Sequence, residues 1–287
     1  MFELVQQLCL PGNPPQPNED AVGFGSSYFF VMDGASCLSG INVIDRDSDA
    51  AWMVQRIKEG LCALLDAGDP RPTADLLAEV LAPLRQEYLT VCQKSGLHQP
   101  EDAPSAGLAL FRIRGGMLEF FGLGDCVGVA ALPDGRVFSS TDTALLALDD
   151  GVIREMARLH AEEGLSMQEA RQRCNPMLLE NRKKRNRRDG YWILDLLSDE
   201  GLAHARQCSW PLTAPVAAAA FSDGFAQLAD TFGLYQDYGS LFSAMSAQGL
   251  DRLCTALFAA QDADADCTAC PRFKKRDDTC ALLGIFR

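Results

Sequence analysis

Three times in this chain a short apolar run ends at an aspartate beside a glycine. Tyr28 to Met32 runs into Asp33-Gly34, Met117 to Leu123 into Gly124-Asp125, and Val216 to Phe221 into Ser222-Asp223-Gly224. Near the C-terminus the order reverses, and Asp277-Asp278 precede the apolar run Cys280 to Phe286. Runs of this length bounded by turn residues read as buried strands. A single Asp-Gly ordinarily marks a solvent turn, and Pro133-Asp134-Gly135 is read that way. The other acids adjoin apolar strands, where an uncompensated carboxylate is costly if buried. A chain with this pattern is constrained to bring its acidic strand ends together around positive charge.

Further strands are expected at Leu108 to Ile113, Val127 to Ala131, Arg136 to Ser139 and Tyr191 to Leu194. Val54, Ile57, Leu61, Leu64 and Leu65 share one helical face. Leu76, Leu77, Val80, Leu81, Leu84, Tyr88 and Val91 share another, behind Thr73 as N-cap. A shorter helix is expected at the capping-box pattern Ser166-x-x-Glu169, and two more between Leu241 and Ala260. Helices over sheet, with hairpins among the strands, predict a layered α+β architecture. No repeat or long linker divides the 287 residues, so one domain is expected.

The formal net charge of −13 argues against general affinity for nucleic acid or anionic membrane and fits a protein that holds cations. The start Met1-Phe2-Glu3-Leu4-Val5 has no secretory pattern, and no run reaches the roughly 18 apolar residues of a spanning helix, so a cytoplasmic protein is expected. Eleven irregularly spaced cysteines then read as free, mostly buried thiols rather than a disulfide framework.

Carboxylates at strand ends suit magnesium or manganese, hard cations that take octahedral oxygen shells and keep several waters. Five acidic sites, Glu19-Asp20, Asp33, Asp125, Asp223 and Asp277-Asp278, suffice for two or three ions. In order and spacing, the series Asn18-Glu19-Asp20, Val31-Met32-Asp33-Gly34, Gly124-Asp125, Phe221-Ser222-Asp223-Gly224 and Arg276-Asp277-Asp278 resembles the PP2C-like, metal-dependent protein serine/threonine phosphatases over nearly the whole chain. The resemblance implies a single PP2C-like domain over 1–287, a four-layer αββα sandwich of two mainly antiparallel sheets flanked by helices. It implies two core Mn2+ or Mg2+ ions and a third, weaker one. Carried over, Asp33 bridges the core ions, the Gly34 carbonyl binds one of them, and Asp223 and Asp277 complete the other. Glu19 and Asp20 match the acidic pair that acts mostly through water, Asp125 belongs with the third ion, and Asp278 supports the ligands. The implied activity is hydrolysis of phosphoserine or phosphothreonine in a phosphorylated protein substrate, by in-line attack of a water between the ions.

The chain departs from the pattern in two places. Many relatives carry a histidine just after the Asp-Gly, where this sequence has Ala35-Ser36; His98, His160 and His204 are expected on the surface or on helices. Relatives also carry a phosphate-gripping arginine before Asn-Glu-Asp, where Asn13-Pro14-Pro15-Gln16-Pro17 stands here. The basic block Arg182 to Arg188 is either a substrate-facing flap around 175–190, with Arg182, Lys183, Lys184 and Arg185 binding substrate, or a solvated loop balancing an acidic protein. Cys267-x-x-Cys270 lacks a second pair, so free thiols are favoured over a zinc site with Cys254 and Cys280. Two other functions stay open: a non-catalytic binding module with this fold, motivated by the missing histidine and arginine, and a phosphatase of small phosphorylated metabolites.

Overall fold

The computed structural model describes residues 1–35, 37–96 and 103–287; Ser36 and His98 lie outside them. Two sheets carry the fold. The first joins β1 (Phe2–Leu10), β11 (Thr279–Phe286), β10 (Val216–Phe221), β6 (Val127–Ala131) and β7 (Val137–Ser140) in that order. The second runs β2 (Asp20–Phe24), β3 (Tyr28–Ala35), β4 (Ser105–Arg114), β5 (Met117–Leu123) and β9 (Arg206–Pro211), and the two-residue β8 (Leu194–Asp195) pairs with β4. Neighbouring strands pair antiparallel in both sheets.

Helices α1 (Asp49–Asp66) and α2 (Thr73–Ser95) cover the outer face of the second sheet, and α6 (Asp223–Asp230), α7 (Tyr238–Gln248) and α8 (Leu250–Ala263) that of the first. The result is the expected four-layer sandwich. Strand β3 shows why its run is continuous rather than alternating. Tyr28, Phe30 and Met32 pack toward the helices, whereas Phe29 and Val31 face the other sheet. A strand buried on both faces needs apolar residues at every position. The inter-sheet layer is aromatic: Phe29, Phe111 and Phe286 lie with ring centroids 5.4 to 6.5 Å apart, and Phe120 sits 5.0 Å from Phe111. A third set of helices, α3 (Thr143–Glu163), α4 (Met167–Arg173) and α5 (Asn175–Arg182), forms a separate small core around Val152, Met156, Leu159 and Met167.

The expected strands from Tyr28, Leu108, Met117, Val127, Val216 and Cys280 are present, as are the helices on both apolar faces. Ser166 and Glu169 cap α4 reciprocally as their spacing predicts. Gly135 takes a left-handed φ of 85° in the Pro133-Asp134-Gly135 turn.

Several expectations need correction. Thr73 is the first residue of α2, not its N-cap; Pro72 holds the cap position. Of the strand expected at Tyr191 to Leu194, Leu194 alone belongs to one, as the first residue of β8; Tyr191 to Ile193 lead into it without forming a ladder. Their backbone groups bond to turns instead: Asn186 N donates to Tyr191 O (2.8 Å), Ile193 N to Asn186 Oδ1 (2.9 Å) and Gly124 N to Trp192 O (2.7 Å). One cysteine pair is not free, because Cys9 and Cys280 face each other across β1 and β11 (Cα–Cα 4.2 Å) and are joined by a disulfide. The other nine are free thiols. Cys280 is thus removed from any zinc set. The Cys267-x-x-Cys270 loop is organised instead by Asp264, which accepts from the amides of Thr268, Ala269 and Cys270 at 3.0 Å each and pairs with Arg272 at 2.6 Å.

Phe111→Ala removes the centre of the inter-sheet layer and is expected to cost about 3 to 5 kcal/mol, as for other large-to-small aromatic truncations. Urea unfolding reads this as a lower midpoint with unchanged slope; a loss below about 1 kcal/mol would contradict a shared aromatic core.

Candidate active site

Strand direction brings the acids to one edge of the sandwich. Strand β3 ends there, β2 and β11 begin there, and β5 and β10 finish there. Asp20 and Asp33 stand directly opposite each other in the β2–β3 ladder, so their side chains share a face. That face is the inter-sheet one, because Phe29 and Val31 precede Asp33 at period two. Asp223 begins α6 immediately after β10, and its amide donates to Asp33 Oδ2 (3.4 Å). Glu19, Asp33, Asp125, Asp223 and Asp277 all line one cavity of about 280 Å3, together with the backbone of Gly34. Asp20 lies beneath it, 2% exposed.

Two glycines permit the close packing. A Cβ at Gly34 would meet the Glu19 carbonyl oxygen at 2.7 Å, and the Gly34 amide donates to that oxygen at 3.0 Å. Gly124 has a φ of 63°, and a Cβ there would meet the Gly107 backbone at 2.9 Å. The turn that presents Asp125 is held from outside. The Gly124 carbonyl accepts from the Arg206 guanidinium (2.8 Å) and the Asp142 amide (3.1 Å), and the Asp125 carbonyl accepts from Thr141 Oγ1 (2.8 Å).

The Asp278 carboxylate is held by two backbone amides. Its Oδ1 accepts from Gly12 N (2.8 Å) and its Oδ2 from Glu19 N (2.7 Å), so it ties the segment carrying Glu19-Asp20 to the segment carrying Asp277. Glu19 accepts from Ser48 Oγ (2.5 Å), the N-cap of α1.

Crowding raises the carboxylates' proton affinity. Burial pushes Asp20 and Asp33 well above the ordinary range, reinforced at Asp33 by Asp20 and Asp223 and opposed at Asp20 by a Ser222 hydrogen bond. Burial, with Asp277 and Asp125 beside it, lifts Asp223 to about 8; burial, with Asp149 beside it, lifts Asp125 to about 7. Positive charge already present comes from Lys274, whose Nζ lies 2.5 Å from Asp277 Oδ1. Among the described residues, no three carboxylate, histidine or cysteine groups already form a closed ligand set. Their chemistry nevertheless fits a hard divalent cation. The donors are all oxygen, they repel one another, and the buried Asp20 Oδ2 has no hydrogen-bond partner.

The structure divides the basic block. Arg182 lines the cavity. Lys183 pairs with Glu180 on the surface (2.6 Å), and Lys184 is not among the cavity-lining residues. Arg185 is buried, pairing with Asp195 (2.9 Å) and donating to the Ala103 carbonyl (2.8 Å). Of the four residues expected to bind substrate, Arg182 is the one that lines the cavity. His160 bonds the Leu165 carbonyl through Nδ1 (2.7 Å), and His204 stacks on Trp192 (3.7 Å); neither lines the cavity.

Sequence reasoning missed Asp149, Arg171, Tyr191, Phe273 and Lys274, all of which line the cavity. Asp149 lies on α3 and is raised to about 7 by burial and then by Asp223 and Asp150. Only Lys274, three residues before Asp277, was close enough in sequence to a recognised acid to be inferred.

The family model for Protein phosphatase 2C matches residues 15–257. No curated protein matches the chain. Among solved structures, the chain is similar to PppA of Pseudomonas aeruginosa, a key regulatory component of T6SS, with 14% identity, a TM-score of 0.56 and coverage of 99% of this chain and 96% of that one. It is similar to the Mycobacterium tuberculosis serine/threonine phosphatase PstP/Ppp, with 14% identity, a TM-score of 0.55 and coverage of 97% and 96%. The PstP catalytic domain in complex with two manganese ions has 15% identity, a TM-score of 0.52 and coverage of 98% and 97%. At these identities the likeness shows the fold.

Raised carboxylates carry a definite pH signature. These groups bind more protons folded than unfolded between about pH 4 and 8, so stability of the metal-free protein falls as pH rises through that window. Thermal melts in chelator should therefore give a lower midpoint at pH 8 than at pH 6, and millimolar Mg2+ should restore more at pH 8. A midpoint that climbs toward pH 8 in chelator would contradict the crowding. Asp278→Ala releases two amides from a carboxylate and should cost about 2 kcal/mol in the same melts.

Proposed function

Because the chain belongs to the protein phosphatase 2C family, we propose that it is a metal-dependent phosphatase of phosphoserine and phosphothreonine in proteins. The observation that carries this reading is the meeting of Asp20, Asp33, Asp125, Asp223 and Asp277 at one sandwich edge around a cavity open to solvent. Asp33, Asp223 and Asp277, with the Gly34 carbonyl, are assigned to hold two core Mn2+ or Mg2+ ions. Asp125 is assigned to a third, and Glu19 and Asp20 to orient water. Bound there, a divalent cation supplies charge compensation for a phosphoryl group and acidifies water at neutral pH.

The remaining work belongs to the chain. Asp278 fixes the spacing of the acidic segments by gripping the Gly12 and Glu19 amides. Arg206 and Asp142 fix the turn before Asp125. Arg182, which lines the same cavity, is assigned to substrate anion. Such preorganised charge lowers the barrier to phosphoryl transfer without reorganisation during the reaction. The retained acids speak against a non-catalytic module, because a site without cations would keep their mutual repulsion for nothing.

The test is hydrolysis of p-nitrophenyl phosphate and a phosphothreonine peptide with Mn2+, with Mg2+ and with excess chelator. Turnover is expected only with metal, and Asp33→Asn is expected to lower kcat by at least about a hundredfold, the scale of losing a charge-stabilising group. Full activity in Asp33→Asn, or in chelator, would sink the assignment. A panel of small phosphorylated metabolites separates protein substrates from metabolites: the proposal expects the peptide to have the higher kcat/KM.

A further inference from the structure

The main cavity has an uneven charge distribution. Six carboxylates line it, and against them stand three cations, Arg171, Arg182 and Lys274. A phosphate ester entering this space carries up to two negative charges, so each cation matters according to how far a carboxylate already neutralises it. Lys274 is engaged with Asp277 at 2.5 Å. Arg182 faces Asp149 closely enough to hold down that acid's proton affinity.

Arg171 differs from both. It projects from the last turn of α4. Its guanidinium donates to a neutral amide oxygen, Asn175 Oδ1 (3.3 Å), and lies over the Phe273 ring with its central carbon 6.0 Å from the centroid. Among the described residues, no carboxylate pairs with it. An amide and a ring fix the direction of a guanidinium while leaving its charge available. Phe273 also lines the cavity, so the ring that positions Arg171 is part of the same wall. That wall rests on the small core of α3, α4 and the Cys267 loop, which is separate from the sandwich core.

We propose that Arg171 is a substrate-binding residue that grips the phosphoryl oxygens of the phosphate ester from the helical wall of the cavity. This inference rests on the phosphatase reading of the site. Guanidinium is suited to the task because its planar N–H groups match phosphate oxygens and it stays charged at any working pH.

The experiment uses the whole chain loaded with Mg2+ and two probes, inorganic phosphate by calorimetry and turnover of p-nitrophenyl phosphate and a phosphothreonine peptide. Arg171→Gln removes the charge and leaves a shorter, neutral amide, and Arg171→Lys keeps the charge at similar reach without the fork. Arg171→Gln is expected to weaken phosphate binding and raise KM for both esters by about tenfold, the scale of one charge-assisted hydrogen bond. Its kcat should change far less, Mg2+ affinity should match wild type, and Arg171→Lys should recover part of the loss. Phosphate affinity within twofold of wild type in Arg171→Gln overturns the inference. A KM rise confined to the peptide also overturns it, because Arg171 would then read the peptide and not the phosphoryl group. Absence of wild-type turnover, with phosphate binding present and weakened by Arg171→Gln, counts against the phosphatase reading and leaves the contact intact.

Discussion

Mutual repulsion among carboxylates at one edge of a sandwich is the constraint on which the rest of this structure depends. Asp20 and Asp33 are opposed across a strand pair, with Asp223 hydrogen-bonded to Asp33, in a setting that raises their proton affinity. Such an arrangement cannot hold itself together. It is imposed by the aromatic layer behind it, where Phe29, Phe111, Phe120 and Phe286 lock the two sheets face to face. The apolar layer contributes the stability and the acidic edge draws on it, a common relation between a core and a strained functional site.

Between core and edge lies a set of side chains whose hydrogen bonds decide where the acids stand. Asp278 joins the N-terminal acidic segment to the one before β11 through two backbone amides. Arg206, from edge strand β9, reaches the Gly124 carbonyl, and its position also brings it 3.6 Å from Asp142. Ser222 accepts from the Cys280 amide at 3.0 Å and so couples the end of β10 to the start of β11. These contacts fix backbone, and the carboxylates follow.

The helical wall obeys different rules. It has its own small core and brings cations toward the cavity from helices α4 and α5 and the loop before Asp277. The most basic stretch of the chain contributes only its first residue. Arg185 is spent inside, on Asp195 and a backbone carbonyl, because a charge carried into the interior needs a buried partner. Charge density along a sequence is therefore a poor guide to charge presented to a ligand.

The sequence by itself determined the layers and the acidic set. Strands such as Met117–Leu123 and Val216–Phe221 were legible because burial on both faces demands unbroken apolar runs, and the acids were legible because each sits where such a run ends. Elements without that signal were not: β9 is an edge strand with mostly exposed residues, and α3 buries only Val152, Met156 and Leu159 along its whole length. Tertiary structure alone decided that Asp149 and Arg171 join the cavity, that Arg185 leaves it, and that Cys9 meets Cys280. The physical reason is range. Periodicity and turn chemistry act over a few neighbouring residues, whereas each of these placements depends on which distant surface a helix or strand is packed against.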